Sequence, residues 1–167
     1  MIKKILLLIK EEKILLITLS IIFFLDKLTK HFISTSFYLG ESKNIIGNFF
    51  KITYIENEGI AFGLLSDWRH TYKSLILFII SVIALIIIFK IYKESKKRII
   101  EQISFGLILG GAAGNIWDRV VYRRVVDFLN FGIGNYRWPF FNIADSAITI
   151  GVIILFIIST FHKGAKE

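Results

Sequence analysis

Four long apolar runs, separated by charged or polar stretches, constrain this chain more than any other feature. They cover Ile14 to Leu25 (continuing past Asp26 toward His31), Ser74 to Phe89, Ile103 to Trp117, and Ile143 to Phe161. A bilayer core needs about 20 mostly apolar residues per helix, so each run qualifies or nearly qualifies as a span. The expected fold is an all-α membrane protein with four transmembrane helices in a single domain. The spans fall at about residues 14–31, 73–91, 101–117 and 143–161.

The composition supports that reading. Hydrophobic residues make up 54% of the chain and the mean hydropathy is +0.64, both above the range of a soluble domain. The absence of cysteine excludes disulfides, thiol catalysis and thiolate metal sites. A net charge of +8 could suggest nucleic acid, but the basic residues lie in short clusters beside the apolar runs. That is the distribution of a membrane protein, and no nucleic-acid partner is expected. The first run has the basic-then-apolar order of a cleaved signal peptide. No small-x-small cleavage site follows it and three further runs do, so a retained helix is expected.

Lysine and arginine set the orientation. Lys3, Lys4, Lys10 and Lys13 precede the first run. Lys90, Lys93, Lys96, Lys97 and Arg98 lie between the second and third, and Lys163 and Lys166 are in the tail. With four spans these segments share one side, the cytoplasm, together with both termini. Two longer segments, about 27–73 and 118–142, then face outward. In the first of them, Asn44 to Gly59 is rich in Ile, Phe, Tyr and Thr and bounded by glycine. Short strands are expected there, forming a small extracytoplasmic β-sheet on the membrane surface. Ser66 to Lys73 is expected to form a short interfacial helix, with Trp68 and Tyr72 at headgroup level. Residues 1–13 are expected in the inner interface or as helix extension.

On this topology the aspartates gather at one membrane edge. Asp26 ends the first span, Asp118 follows the third, Asp127 lies in the second outer segment, and Asp145 begins the fourth span. Ionisable groups at membrane depth are costly, so each needs a partner or a function. Asn142 and Asp145 have the spacing of an N-cap and a first-turn acid. Asp127 sits in the apolar stretch Val125-Val126-Asp127-Phe128-Leu129, where burial would raise its pKa. Two facing carboxyls that share one proton can activate water and protonate a leaving amine. The segment between Asp127 and Asp145 permits such a meeting. Gly106, Gly110 and Gly114, four apart, suit close helix packing. Asn115 and Asp118 share a helical face. Asp118 beside Arg119 reads most simply as an ion pair, and the alternative is that Asn115 and Arg119 bind a polar substrate backbone. His31, His70 and His162 lack metal-ligand spacing. Ser20, Ser81 and Ser104 lack a histidine partner. No metal or cofactor is expected.

Five blocks in order resemble lipoprotein signal peptidase, also called signal peptidase II. They are Asp26-Lys27-Leu28-Thr29-Lys30, Asn57-Glu58-Gly59-Ile60-Ala61-Phe62-Gly63, Gly110 to Arg119, Val125-Val126-Asp127-Phe128, and Phe141-Asn142-Ile143-Ala144-Asp145. The resemblance runs from about residue 14 to 160. It implies an aspartic-type enzyme of the bacterial cytoplasmic membrane that cuts prolipoproteins before a diacylglyceryl-modified cysteine. Its partners would be those substrates and membrane lipid, and its site would lie near the outer face. Asp127 and Asp145 fall on the catalytic dyad. Asn57, Asn115, Arg119 and Asn142 fall on supporting or substrate-contacting positions, and Asp26, Lys30, Gly59, Gly114 and Asp118 on motif positions of less defined role. Two departures stand out: Lys27 where the family usually has Gln, and Arg123 where it often has Gly.

Two rival readings come from other classes. A small ion or solute transporter would use the aspartates as a conduction or coupling site, but transporters place charge near the midplane and carry repeated halves. Here the acids sit at span ends and no repeat is visible. A structural membrane subunit would tolerate Asp127→Asn.

Overall fold

The computed structural model describes residues 12–58, 73–95 and 98–163. Four helices and four strands lie along them. They are α1 Lys13–Ser36, β1 Ser42–Ile46, β2 Phe50–Asn57, α2 Lys73–Glu94, α3 Ile99–Tyr122, β3 Val125–Ile133, β4 Tyr136–Arg137 and α4 Ile143–Lys163. The expected interfacial helix at 66–73, the inner segment 1–11 and Gly59 lie outside the described residues, except that Lys73 begins α2.

The chain is mostly helical, with one small antiparallel sheet. Among the described residues, α3 and the stretch Ile143–Thr160 of α4 are long and apolar enough to cross a membrane. The expected set of four spans is met by two helices on that criterion. In α1 the apolar sequence is interrupted by Asp26, Lys27 and Lys30.

Helix α3 is the central element and packs against α1, α2 and α4. Its glycines explain why. A Cβ on Gly106 would lie 2.7 Å from Thr18 Cβ, and one on Gly110 would lie 2.7 Å from the Leu19 carbonyl oxygen. A Cβ on Gly111 would strike the Ala144 carbonyl of α4. Small residues thus let α3 approach α1 on one face and α4 on another, the use anticipated from their spacing. Leu15, Tyr92, Phe105 and Leu109 form one apolar core where α1, α2 and α3 meet.

The sheet has the order β1-β2-β3-β4. Strands β1 and β2 supply the short strands expected from Asn44 to Gly59 and pair as a hairpin, with Gly47 at φ 49° in the turn. In the second outer segment, where no strand is expected from the sequence, Val125–Ile133 is a nine-residue strand paired with β2. Nor does the third helix stop at residue 117. It continues to Tyr122 and is capped by Arg123, whose φ of 59° and ψ of 11° are left-handed. This is the backbone state that glycine adopts without penalty, so the departure at Arg123 falls on the residue that turns the chain from α3 into β3. A second core of Ile33, Tyr54 and Phe128 seats the sheet against the end of α1.

Candidate active site

Backbone pairing accounts for the first half of the site. In the β2–β3 ladder Ile55 faces Asp127 and Asn57 faces Val125, so Asn57 and Asp127 are diagonal neighbours on one face. Asn57 Nδ2 donates to Asp127 Oδ2 at 2.7 Å. Asp127 itself is only 2% exposed.

The second half comes from the start of α4. Phe141 is zipped to β3: its N–H donates to the Leu129 carbonyl at 3.2 Å, and its carbonyl accepts from Phe128 at 3.0 Å and Leu129 at 2.8 Å. That clamp brings Asn142, fully buried, between the two acids. Asn142 Nδ2 donates to Asp127 Oδ1 at 2.7 Å. Its Oδ1 accepts from the Asp145 N–H at 3.0 Å, and Asp145 Oδ2 accepts from the Asn142 N–H at 3.3 Å. This is the reciprocal capping box the spacing suggested. One asparagine therefore caps α4 and contacts both residues expected to carry the chemistry.

Asp145 receives a further N–H, from Asn115 Nδ2 at 2.8 Å. Behind Asn115 lies a buried charged cluster. Lys30 Nζ donates to Asn115 Oδ1 at 2.8 Å and Asp118 Oδ2 at 2.7 Å, and pairs with Asp26 Oδ2 at 2.8 Å. Asp26 Oδ1 accepts from the Ala144 N–H at 3.1 Å, tying α1 to the first turn of α4. Gly114 makes room for this carboxyl, since a Cβ there would lie 2.6 Å from Asp26 Oδ2.

The ion pair expected between Asp118 and Arg119 is not formed. Asp118 is taken by Lys30 and by Lys27, which bonds Asp118 Oδ1. Adjacent residues on a helix point in different directions, so Asp118 faces α1 while Arg119 turns the other way. Arg119 Nη1 approaches the Asn115 carbonyl oxygen at 3.4 Å and feels the charges of Asp145 and Asp127. Lys27 lies outside the residues expected for the site. The signal that could have found it is the acid–base–base spacing Asp26, Lys27, Lys30 at one helix end. Asn57, Asn115, Asn142, Asp26, Lys30, Asp118, Arg119, Asp127 and Asp145 form one connected cluster. Gly59, also expected at the site, lies outside the described residues.

Burial first, and the charge of Asp145 second, push the Asp127 carboxyl up to about 6, against the lowering effect of Asn57 and Asn142. A carboxyl so poised holds a proton far more readily than an exposed aspartate.

A cavity of about 330 Å³ opens between α2, α3 and α4. Its walls are apolar, with Leu85, Ile88, Ile108 and Val152, and one end is polar, with Asn115, Arg119 and Asp145.

The chain is similar over residues 18–161 to the family described as signal peptidase (SPase) II. It is 42% identical to the lipoprotein signal peptidase of Syntrophus aciditrophicus over 141 residues, covering 84% of this chain and 88% of that one. It is 45% identical to the lipoprotein signal peptidase of Francisella tularensis subsp. novicida over 139 residues, covering 83% and 86%. A solved bacterial membrane enzyme matches with a TM-score of 0.81 at 34% identity, covering 92% of this chain and 91% of that one. The transporter reading finds no support among these relatives. On these matches the chain belongs to the signal peptidase II family.

Proposed function

We propose that this protein removes the signal peptide from prolipoproteins by aspartic chemistry at Asp127 and Asp145, cutting before the diacylglyceryl-modified cysteine. The observation that carries the proposal is the junction of two chemistries. Asp145, bridged through Asn142 to Asp127, lines the polar end of an otherwise apolar cavity. A lipid-anchored peptide needs such a junction, with acyl chains or signal helix in the cavity and the scissile amide at its polar end.

In the proposed reaction, the ionised carboxylate takes a proton from water as the water oxygen attacks the scissile carbonyl. The protonated carboxyl first stabilises the oxyanion and then delivers a proton to the leaving nitrogen. The C–N bond breaks, leaving a carboxylate on the signal peptide and an amine on the cysteine. Charge balance favours one proton on the pair. Asp26 and Asp118 are matched by Lys27 and Lys30, whereas Arg119 offers one positive charge to two acids. Asn57, Asn115 and Asn142 donate N–H groups to the dyad and fix its orientation.

The same reading makes α1 and α2, at 24 and 22 residues, the remaining two spans of a four-span protein. At about 1.5 Å per residue, each reaches across about 30 Å of hydrocarbon. Both termini are then cytoplasmic, and the sheet lies on the outer face of the bacterial inner membrane. Exposed Tyr136 and Trp138 suit the headgroup region there. The test is cleavage of a diacylglyceryl-prolipoprotein by Asp127→Asn and Asp145→Asn in proteoliposomes. Both should lose activity, and full activity in either variant refutes the dyad.

A further inference from the structure

The dyad assignment leaves a buried lysine without a stated function. Lys30 is 4% exposed and touches neither Asp127 nor Asp145 by hydrogen bond. Two of its contacts neutralise Asp26 and Asp118. The third, to Asn115 Oδ1 at 2.8 Å, is not needed for charge balance. An amide side chain has two ends of nearly equal shape and opposite polarity. Asn115 could present either its N–H₂ or its oxygen to Asp145, and the two orientations differ in what they do to a carboxylate. An ammonium can only donate, so it accepts only the orientation with the oxygen toward itself. That turns Nδ2 toward Asp145 Oδ1, where it sits at 2.8 Å. The Nδ2 of Asn142 lies 3.4 Å from Asn115 Oδ1, too far to fix that amide alone.

We propose that Lys30 is a positioning residue for the hydrolytic reaction, locking the Asn115 amide so that it always offers an N–H to Asp145. The inference rests on the dyad reading. With the amide reversed, the Asn115 oxygen would face the Asp145 carboxylate, which could relieve that contact only by taking up a proton. The dyad would then begin the cycle in the wrong protonation state. Lys30 thus acts on chemistry rather than on substrate binding. Partners that orient a reactive group typically contribute about 10–100-fold.

The test is a double-mutant cycle between Lys30→Met and Asn115→Ala, with kcat and KM measured on a diacylglyceryl-prolipopeptide and normalised to folded protein. Lys30→Met is expected to lower kcat by about 10–100-fold with KM within about twofold, and to add nothing in the Asn115→Ala background. Effects that multiply across the two sites, or a change in KM alone, overturn the proposal. Lys30→Met strands two buried carboxylates, so the same substitution is also made in an Asp118→Asn background and compared with Asp118→Asn itself. The same loss of kcat is expected there, and an unchanged kcat overturns the proposal. If the cycle multiplies while Asp145→Asn is inactive, the positioning role fails and the dyad stands. If Asp145→Asn is fully active, the dyad itself fails.

Discussion

Asp127→Asn should abolish cleavage and at the same time make the protein more stable at neutral pH. The folded state raises the Asp127 carboxyl from 3.8 to about 6, a shift of roughly two units, and each unit corresponds to about 1.4 kcal/mol. The raised value means the folded state binds the proton more tightly than the unfolded state. Between pH 4 and 6 the native protein therefore holds more protons, and its stability falls as pH rises through that window. Above it, an ionised Asp127 costs about 3 kcal/mol relative to its protonated form. Asparagine keeps the shape and removes the charge. It does not keep both hydrogen bonds, because Asn57 and Asn142 each direct an N–H at an oxygen of Asp127. Asn142 cannot turn, since its own oxygen caps the Asp145 N–H, so Asn57 must rotate or lose its bond, at about 1 kcal/mol. The net gain is about 2 kcal/mol at pH 7.5. At about 2–4 °C per kcal/mol for a chain of this size, Tm should rise by about 4–8 °C. Thermal unfolding in detergent or nanodiscs at pH 7.5 and pH 4 measures it. The variant should lead at pH 7.5 and lose that lead at pH 4. A variant that is less stable at pH 7.5, or whose advantage does not change with pH, refutes the account of Asp127 as a buried, charge-strained acid.

Gly114→Ala should destabilise by about 1–3 kcal/mol. The new methyl meets an Asp26 carboxyl already fixed by Lys30 and Ala144, and chemical denaturation reads the change. Arg123→Gly should raise Tm while leaving kcat nearly unchanged, because it relieves a left-handed arginine worth about 1 kcal/mol. Asn142→Ala removes a helix cap and a contact to each acid. It should lose at least about 1 kcal/mol of stability and about 100-fold in kcat, seen by unfolding and by peptide cleavage.

Much of the helical frame can be read directly because its signals are local. Glycines one turn apart on α3, the Asn142–Asp145 cap and the Asn44 to Gly59 strands each lie within a few residues. The partner choices were harder. Val125–Ile133 carries apolar residues on both faces, so no clean alternation marks it as a strand. Its pairing with β2 is also a long-range event. Asp118 has a neighbour of opposite charge in Arg119, and sequence adjacency suggested a pair that helix geometry forbids. The ends of α1 and α3 decide the matter by bringing Lys27 and Lys30 to Asp118. Arg123 stands out in the sequence only as a departure from the family's frequent Gly, because arginine itself carries no signal of the positive φ that its surroundings impose.

The backbone clamp between Phe141 and β3 has a consequence for how the enzyme tolerates its solvent. Helices in a bilayer tilt to match its thickness, and a dyad carried on two independent helices would open or close with that tilt. Here one acid rides on a strand and the other begins a helix, and main-chain hydrogen bonds at Phe128, Leu129 and Phe141 tie the two together. The gap between the carboxyls is therefore set like the jaws of a fixed gauge. Turnover should vary little with the acyl-chain length of the host lipid so long as substrate is presented at the same height.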